Sequence, residues 1–185
     1  MVAMKADEER KIGTYIHTPA QVKPYDPDYP KVAAKIAELI RTKLASVIIE
    51  HIGSTAIPDC RGKGIIDLMV LYPRGFLDET QEILFSLGFQ RQPHKEPFPE
   101  SRPMRVGSVT YKDKIFQIHV HVIEHGNRES YLAIKFRDKL CQDRSLMREY
   151  IRLKEQIIKG GLTDSLEYCK AKQVFIKSVL AGNSF

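Results

Sequence analysis

Apolar residues fall along this chain in two rhythms, one helical and one extended. Val32, Ala33, Ile36, Ala37, Leu39, Ile40 and Leu44 recur at helical spacing and predict a first helix. The run Tyr25-Asp26-Pro27-Asp28-Tyr29-Pro30 before it is turn-rich, with Asp28 placed as N-cap and Pro30 in the first helical turn. Residues 46–52 are β-branched and apolar, a buried strand by length and content, and 65–72 are a second nearly continuous apolar run, the pattern of a strand covered on both faces. Between them lies a turn region, 53–64, with three glycines and one proline. Residues 76–87 predict a helix with Asp78 near its start and Gly88 as its stop. Four prolines predict a loop over 90–105. Residues 104–111 and 115–123 then predict a hairpin around Lys112-Asp113-Lys114. From Arg128 the rhythm is helical throughout. Leu132, Phe136 and Leu140 share one face, and Leu146, Met147, Tyr150, Ile151, Leu153, Ile157 and Ile158 form the next stripe. Gly160-Gly161 ends that stripe, and Asp164 with Glu167 starts a last helix in the manner of a capping box.

The elements sum to an α+β domain, a mixed sheet flanked by helices with a helical C-terminal layer. Residues 1–24 read as an N-terminal tail and extended lead-in, and 25–185 as a single domain. The 185 residues suit one core. No apolar run reaches the roughly 18 residues a membrane span needs. The opening MVAMKADEERK is charged and does not read as a secretory signal. Three cysteines, Cys60, Cys141 and Cys169, fit no zinc-ribbon or thioredoxin spacing and read as reduced thiols of a cytoplasmic protein. The 29 basic and 23 acidic residues leave a formal charge of +6. Much of it lies in 126–185, where 12 basic residues are interleaved with 7 acidic ones as on solvated helices. A nucleic-acid partner is therefore secondary to a small phosphate-bearing one.

Three clusters carry chemistry. The first is Gly53-Ser54-Thr55, just after the first strand, where backbone amides and a hydroxyl can converge on an anion. Lys63, between Gly62 and Gly64, offers a cation for phosphate; alternatively it is a solvated loop lysine. The second is Asp67, a lone acid in an apolar strand, which demands a metal, or a partner such as Lys63 or an arginine. The third is the strand around His119 and His121, whose alternation places Gln117, His119 and His121 on one face and Phe116, Ile118, Val120 and Val122 on the other. Two histidines at i, i+2 can ligate a metal or move protons, or simply stand on a solvated sheet face. Ile123 breaks the His-x-His-x-His pattern of histidine-triad hydrolases. Arg137 can bind phosphate or pair with an acidic neighbour. His17, His94 and His125 read as incidental.

Glu50-His51-Ile52-Gly53-Ser54-Thr55, Lys63 and Ile65-Ile66-Asp67 resemble the signature of the GrpB family within the nucleotidyltransferase superfamily. The resemblance continues through Tyr25–Pro30, His119-Val120-His121-Val122, Phe136-Arg137-Asp138, Tyr150 and Leu153-Lys154, spanning roughly residues 22–180. It implies a nucleotidyltransferase-like mixed sheet flanked by helices. It also implies that Gly53 and Ser54, with Thr55, Lys63 and Arg137, bind a nucleoside triphosphate, and that Asp67 is the first carboxylate for a divalent ion, magnesium or manganese. Met69 stands in the slot of the second carboxylate, and His119 and His121 occupy the strand expected to bear the third. The implied activity is transfer of a nucleotidyl group to an unknown acceptor, with Asp67, His119 and His121 catalytic. The alternative is a catalytically degenerate nucleotide-binding or folding-accessory module, like the domain of this type fused to dephospho-CoA kinases. A third reading is a transition-metal site of His119, His121 and either Asp67 or His51.

Overall fold

The computed structural model describes residues 12–93 and 98–182. His94 and the opening 11 residues lie outside them. Helix α1 (Tyr29–Arg41) leads into strand β1 (Ile48–Ile52), a short 3-10 turn (Ser54–Ala56) and strand β2 (Ile65–Tyr72). Helix α2 (Leu77–Ser86), β3 (Gln90–Arg91), β4 (Met104–Tyr111) and β5 (Lys114–Glu124) follow. Four further helices follow among the described residues: α3 (Arg128–Gln142), α4 (Arg144–Lys159), α5 (Ser165–Ala171) and α6 (Gln173–Ala181). Among the described residues no helix is long and apolar enough to cross a membrane.

The sheet runs β1-β2-β5-β4-β3, with β2 and β5 parallel and every other pair antiparallel. A parallel central pair needs a long crossover, and α2, β3 and β4 occupy it. One sheet face, formed by Ile66, Leu68, Val70, Phe116, Ile118, Val120 and Val122, packs against α1 and Leu84 of α2 as the main core. On the other face α3 covers Met69, Leu71 and Ile123 through Ala133 and Ile134. A second core joins Ile57 and Cys60 to Leu140, Met147, Tyr150, Phe175 and Val179, welding the helical layer to the turn after β1.

The pattern is displaced in places. Residues 46–52, expected as a buried strand, become an edge strand with Ile48 47% exposed, because β1 has a neighbour on one side only. The loop expected over 90–105 begins with β3, paired to Arg105 and Val106. The hairpin turn shortens to Lys112-Asp113, both at positive φ, which lets the strands keep their twist and puts Lys114 in β5. The single last helix is two, α5 and α6, hinged at Lys172, with Asp164 capping the first through Leu166 and Glu167 amides. Asp28 precedes α1 as expected but makes no cap bond. Its carboxylate instead accepts from Lys112 at 3.0 Å, while Asp26 accepts from Lys114 at 2.9 Å, so the Tyr25–Pro30 turn clasps the hairpin tip.

Residues 12–23 form a strap. Gly13 bridges to Ser108 of β4, Ala20 is buried beside Ile157 and Tyr168, and Lys23 bridges to Gly62.

Candidate functional site

Strands β2 and β5 build the site by register. Asp67 is opposite His119 and Met69 opposite His121, and alternation turns Asp67 and both imidazoles to the face away from α1. His119 Nδ1 lies 3.3 Å and His121 Nε2 3.8 Å from Asp67 Oδ1. The three potential ligand atoms all fall within 4.8 Å of one another. Burial disfavours the Asp67 charge, but hydrogen bonds from His119 and His121 outweigh it and hold the carboxyl well below the usual carboxylate range. Phe98 stands edge-on to His121 with ring centres 5.5 Å apart. On the far side of His119, Nε2 is 3.0 Å from the Tyr15 hydroxyl. Burial, with the Asp67 charge, raises the Tyr15 pKa and keeps it a neutral phenol.

The Gly53-Ser54 turn abuts this cluster. Gly53 has φ 71° and ψ −172°, a region only glycine readily occupies, and a Cβ there would collide with the Asp67 carboxylate. Ser54 opens the 3-10 turn and its Oγ accepts from Lys154 Nζ at 3.1 Å. Thr55 is buried; its hydroxyl donates to the Ile65 carbonyl at 3.1 Å and meets His51 Nε2 at 3.0 Å, stapling turn to strand. His51 is thereby directed to Thr55, and burial lowers its pKa to about 4. Lys63 Nζ sits 5.3 Å from the Tyr168 ring centre, and Lys172 Nζ 4.4 Å from the same ring. Burial lowers the Lys63 pKa.

Arg137, on α3, pins β1. It donates to Glu50 Oε2 at 2.7 Å, the His51 carbonyl at 2.8 Å and Asp138 Oδ1 at 2.8 Å. Gly53, Ser54, Asp67, His119 and His121 thus share one region, whereas the Thr55 and Arg137 groups are engaged in holding it together. Met69 is 1% exposed and packs under α3.

Two residues had no role in the sequence reading. Lys154 is 1% exposed, donates to Ser54 Oγ, to Cys60 Sγ at 3.4 Å and to the Arg61 carbonyl, and lies 4.4 Å from the Tyr150 ring centre. Burial lowers its pKa to about 8. The signal for it was a lysine four residues after Tyr150 and three before Ile157, inside the buried stripe of α4. Tyr15 carried no such signal, because it joins the site through the strap rather than through a periodic element.

A family model described as GrpB protein matches residues 19–181. The chain is 32% identical over 170 residues to a UPF0157 protein of Pseudomonas aeruginosa, covering 86% of this chain and 66% of that one. The crystal structure of GrpB from Enterococcus faecalis has the same fold, with a TM-score of 0.68 at 23% identity over 88% of this chain and 96% of that one. A slighter overlap, TM-score 0.49 at 17% identity over 74% of this chain and 42% of that one, is with Cid1 in complex with its short product ApU.

Proposed function

The chain belongs to the GrpB family, and from that premise we propose that it transfers a nucleotidyl group from a nucleoside triphosphate to an acceptor hydroxyl at the Asp67 cluster. The observation that supports this most is the contact of the Gly53-Ser54 turn with the Asp67 carboxylate. On this reading, a turn suited to phosphate stands beside the carboxylate that would ligate the ion.

One carboxylate oxygen and two imidazole nitrogens suit manganese or zinc, whereas magnesium prefers a full oxygen octahedron. Asp67, His119 and His121 would hold such an ion, which supplies charge neutralisation at the α-phosphate. The chain's own groups do the rest. The Gly53 and Ser54 amides hold the outer phosphates. Because Ser54 Oγ already accepts from Lys154, its hydroxyl proton is free to donate outward. Lys154 and Lys63 offset phosphate charge from behind and beside the turn. The acceptor oxygen would attack the α-phosphorus as the bridging bond to the β-phosphate breaks and pyrophosphate leaves; with both imidazoles holding the ion, the hydroxyl proton would pass to solvent water.

One observation favours a second reading, an accessory module that binds nucleotide without turnover. Met69 fills the second-carboxylate slot with a buried thioether. Calorimetric titration of ATP, GTP, CTP and UTP, with and without Mn2+, followed by a pyrophosphate assay with candidate acceptors, separates the two. Transfer requires metal-dependent binding that Asp67→Asn abolishes, then pyrophosphate release. Binding without release supports the accessory reading. Failure to bind any of the four nucleotides overturns both.

A further inference from the structure

We propose that Tyr15 is a positioning residue of the Asp67, His119 and His121 cluster, its hydroxyl accepting the Nε2 proton of His119 so that Nδ1 is bare for a divalent ion. The proposal rests on the metal-binding reading above. A neutral imidazole carries one proton, and the nitrogen that binds a metal must lack it. Here the two ring nitrogens of His119 face different partners. Nδ1 looks into the cluster, 3.3 Å from Asp67 Oδ1, and Nε2 looks out, 3.0 Å from the Tyr15 hydroxyl.

With no ion bound, the carboxylate attracts the proton to Nδ1 and so caps the would-be ligand. Loading an ion moves that proton to Nε2, where it needs an acceptor in a half-buried setting. A phenol hydroxyl donates to one tautomer and accepts from the other, so Tyr15 satisfies His119 before and after loading. A residue without a hydroxyl would leave the loaded tautomer unpartnered. Such outer partners of ligand histidines typically contribute 10–100-fold to metal affinity.

The strap places the hydroxyl with few degrees of freedom. Ser108 Oγ donates to the Thr14 carbonyl at 2.8 Å, the Tyr15 amide donates to Gln90 Oε1 at 3.0 Å, and the Ile16 amide donates to Gln117 Oε1 at 2.9 Å. Gln117 shares the β5 face with His119, so the strand that presents the imidazole also holds the strap. The Tyr15 and His119 ring centres are 5.4 Å apart.

The test uses the full chain labelled with 15N-histidine, titrated with Zn2+ alone by calorimetry and followed by multiple-bond 1H–15N correlation. Loaded wild type is expected to show His119 coordinated through Nδ1 and protonated at Nε2. Tyr15→Phe, which keeps the ring, is expected to bind Zn2+ 10–100-fold more weakly while its metal-free unfolding midpoint stays near wild type. Equal Zn2+ affinity in Tyr15→Phe overturns the Tyr15 role and leaves the metal site standing. Coordination of loaded wild type through Nε2 overturns it too, whether or not the variant folds. Wild-type affinity no greater than that of Asp67→Ala overturns the metal reading itself, and this proposal with it.

Discussion

Lys154→Met should make the protein more stable and a poorer phosphate binder. The folded-state pKa of Lys154 is about 8 against 10.5 for an ordinary lysine, with burial the leading cause. Each pKa unit is worth about 1.4 kcal/mol, so keeping this ammonium charged at pH 7 costs the fold about 3 kcal/mol. The variant removes that cost but strands the Arg61 carbonyl and loosens Ser54, returning about 1–2 kcal/mol. The net expectation at pH 7 is a stabilisation of about 1–2 kcal/mol, a rise in Tm of a few degrees for a chain this long. The sign with pH is distinctive. Between pH 8 and 10.5 the unfolded chain holds a proton on Lys154 that the folded chain releases, so wild-type stability rises with pH relative to the variant. Below pH 8 the difference is constant. Urea melts of both proteins at pH 7, 8, 9 and 10 give the difference curve, which removes the contribution of the tyrosines titrating nearby. Titration with a nucleoside triphosphate should show weaker binding by the more stable protein. A variant less stable than wild type at pH 7, together with a flat difference curve from pH 8 to 10, would refute the burial argument.

Gly53→Ala should lower stability by about 1–3 kcal/mol, because its backbone conformation is nearly glycine-only. It should also displace the Asp67 carboxylate, so Zn2+ or Mn2+ titration should show a loss of affinity beyond what the melt predicts; unchanged affinity would contradict the packing of the turn on Asp67. His51, held neutral with a pKa of about 4, should make the fold lose up to about 3 kcal/mol as pH falls from above 6.5 to below 4, since the unfolded chain takes up the proton first. His51→Gln should flatten that acid limb relative to wild type, and identical limbs would falsify the assignment.

Strand β2 was legible to the residue because an eight-residue apolar run interrupted by one acid has few other homes. The facing of Asp67 and the two histidines followed from period-2 alternation, but their proximity did not. That depends on β2 and β5 being parallel neighbours in one register, a pairing between segments some 50 residues apart. Lys154, present in the family signature, carried no assigned role for the opposite reason. Lysine is so commonly solvated that its place in an apolar stripe was outweighed by its type. β1 looked buried because β-branched content reports strand formation, not the number of neighbours a strand has. The break between α5 and α6 carries no proline or glycine at Lys172 to announce it, and the packing of Tyr168 and Phe175 into different clusters accompanies it.

The strap also sets an order of events. Its bonds to Gln117 and His119 span 101 and 104 residues, so they form only by closing a long loop, at an entropic cost that delays them relative to local pairings. The Tyr15 and Ile16 amides bond to side chains rather than to a strand ladder, which makes them the part of this network most readily released. Release of those bonds would free Tyr15 from His119 while leaving the paired strands that carry Asp67 and the imidazoles intact.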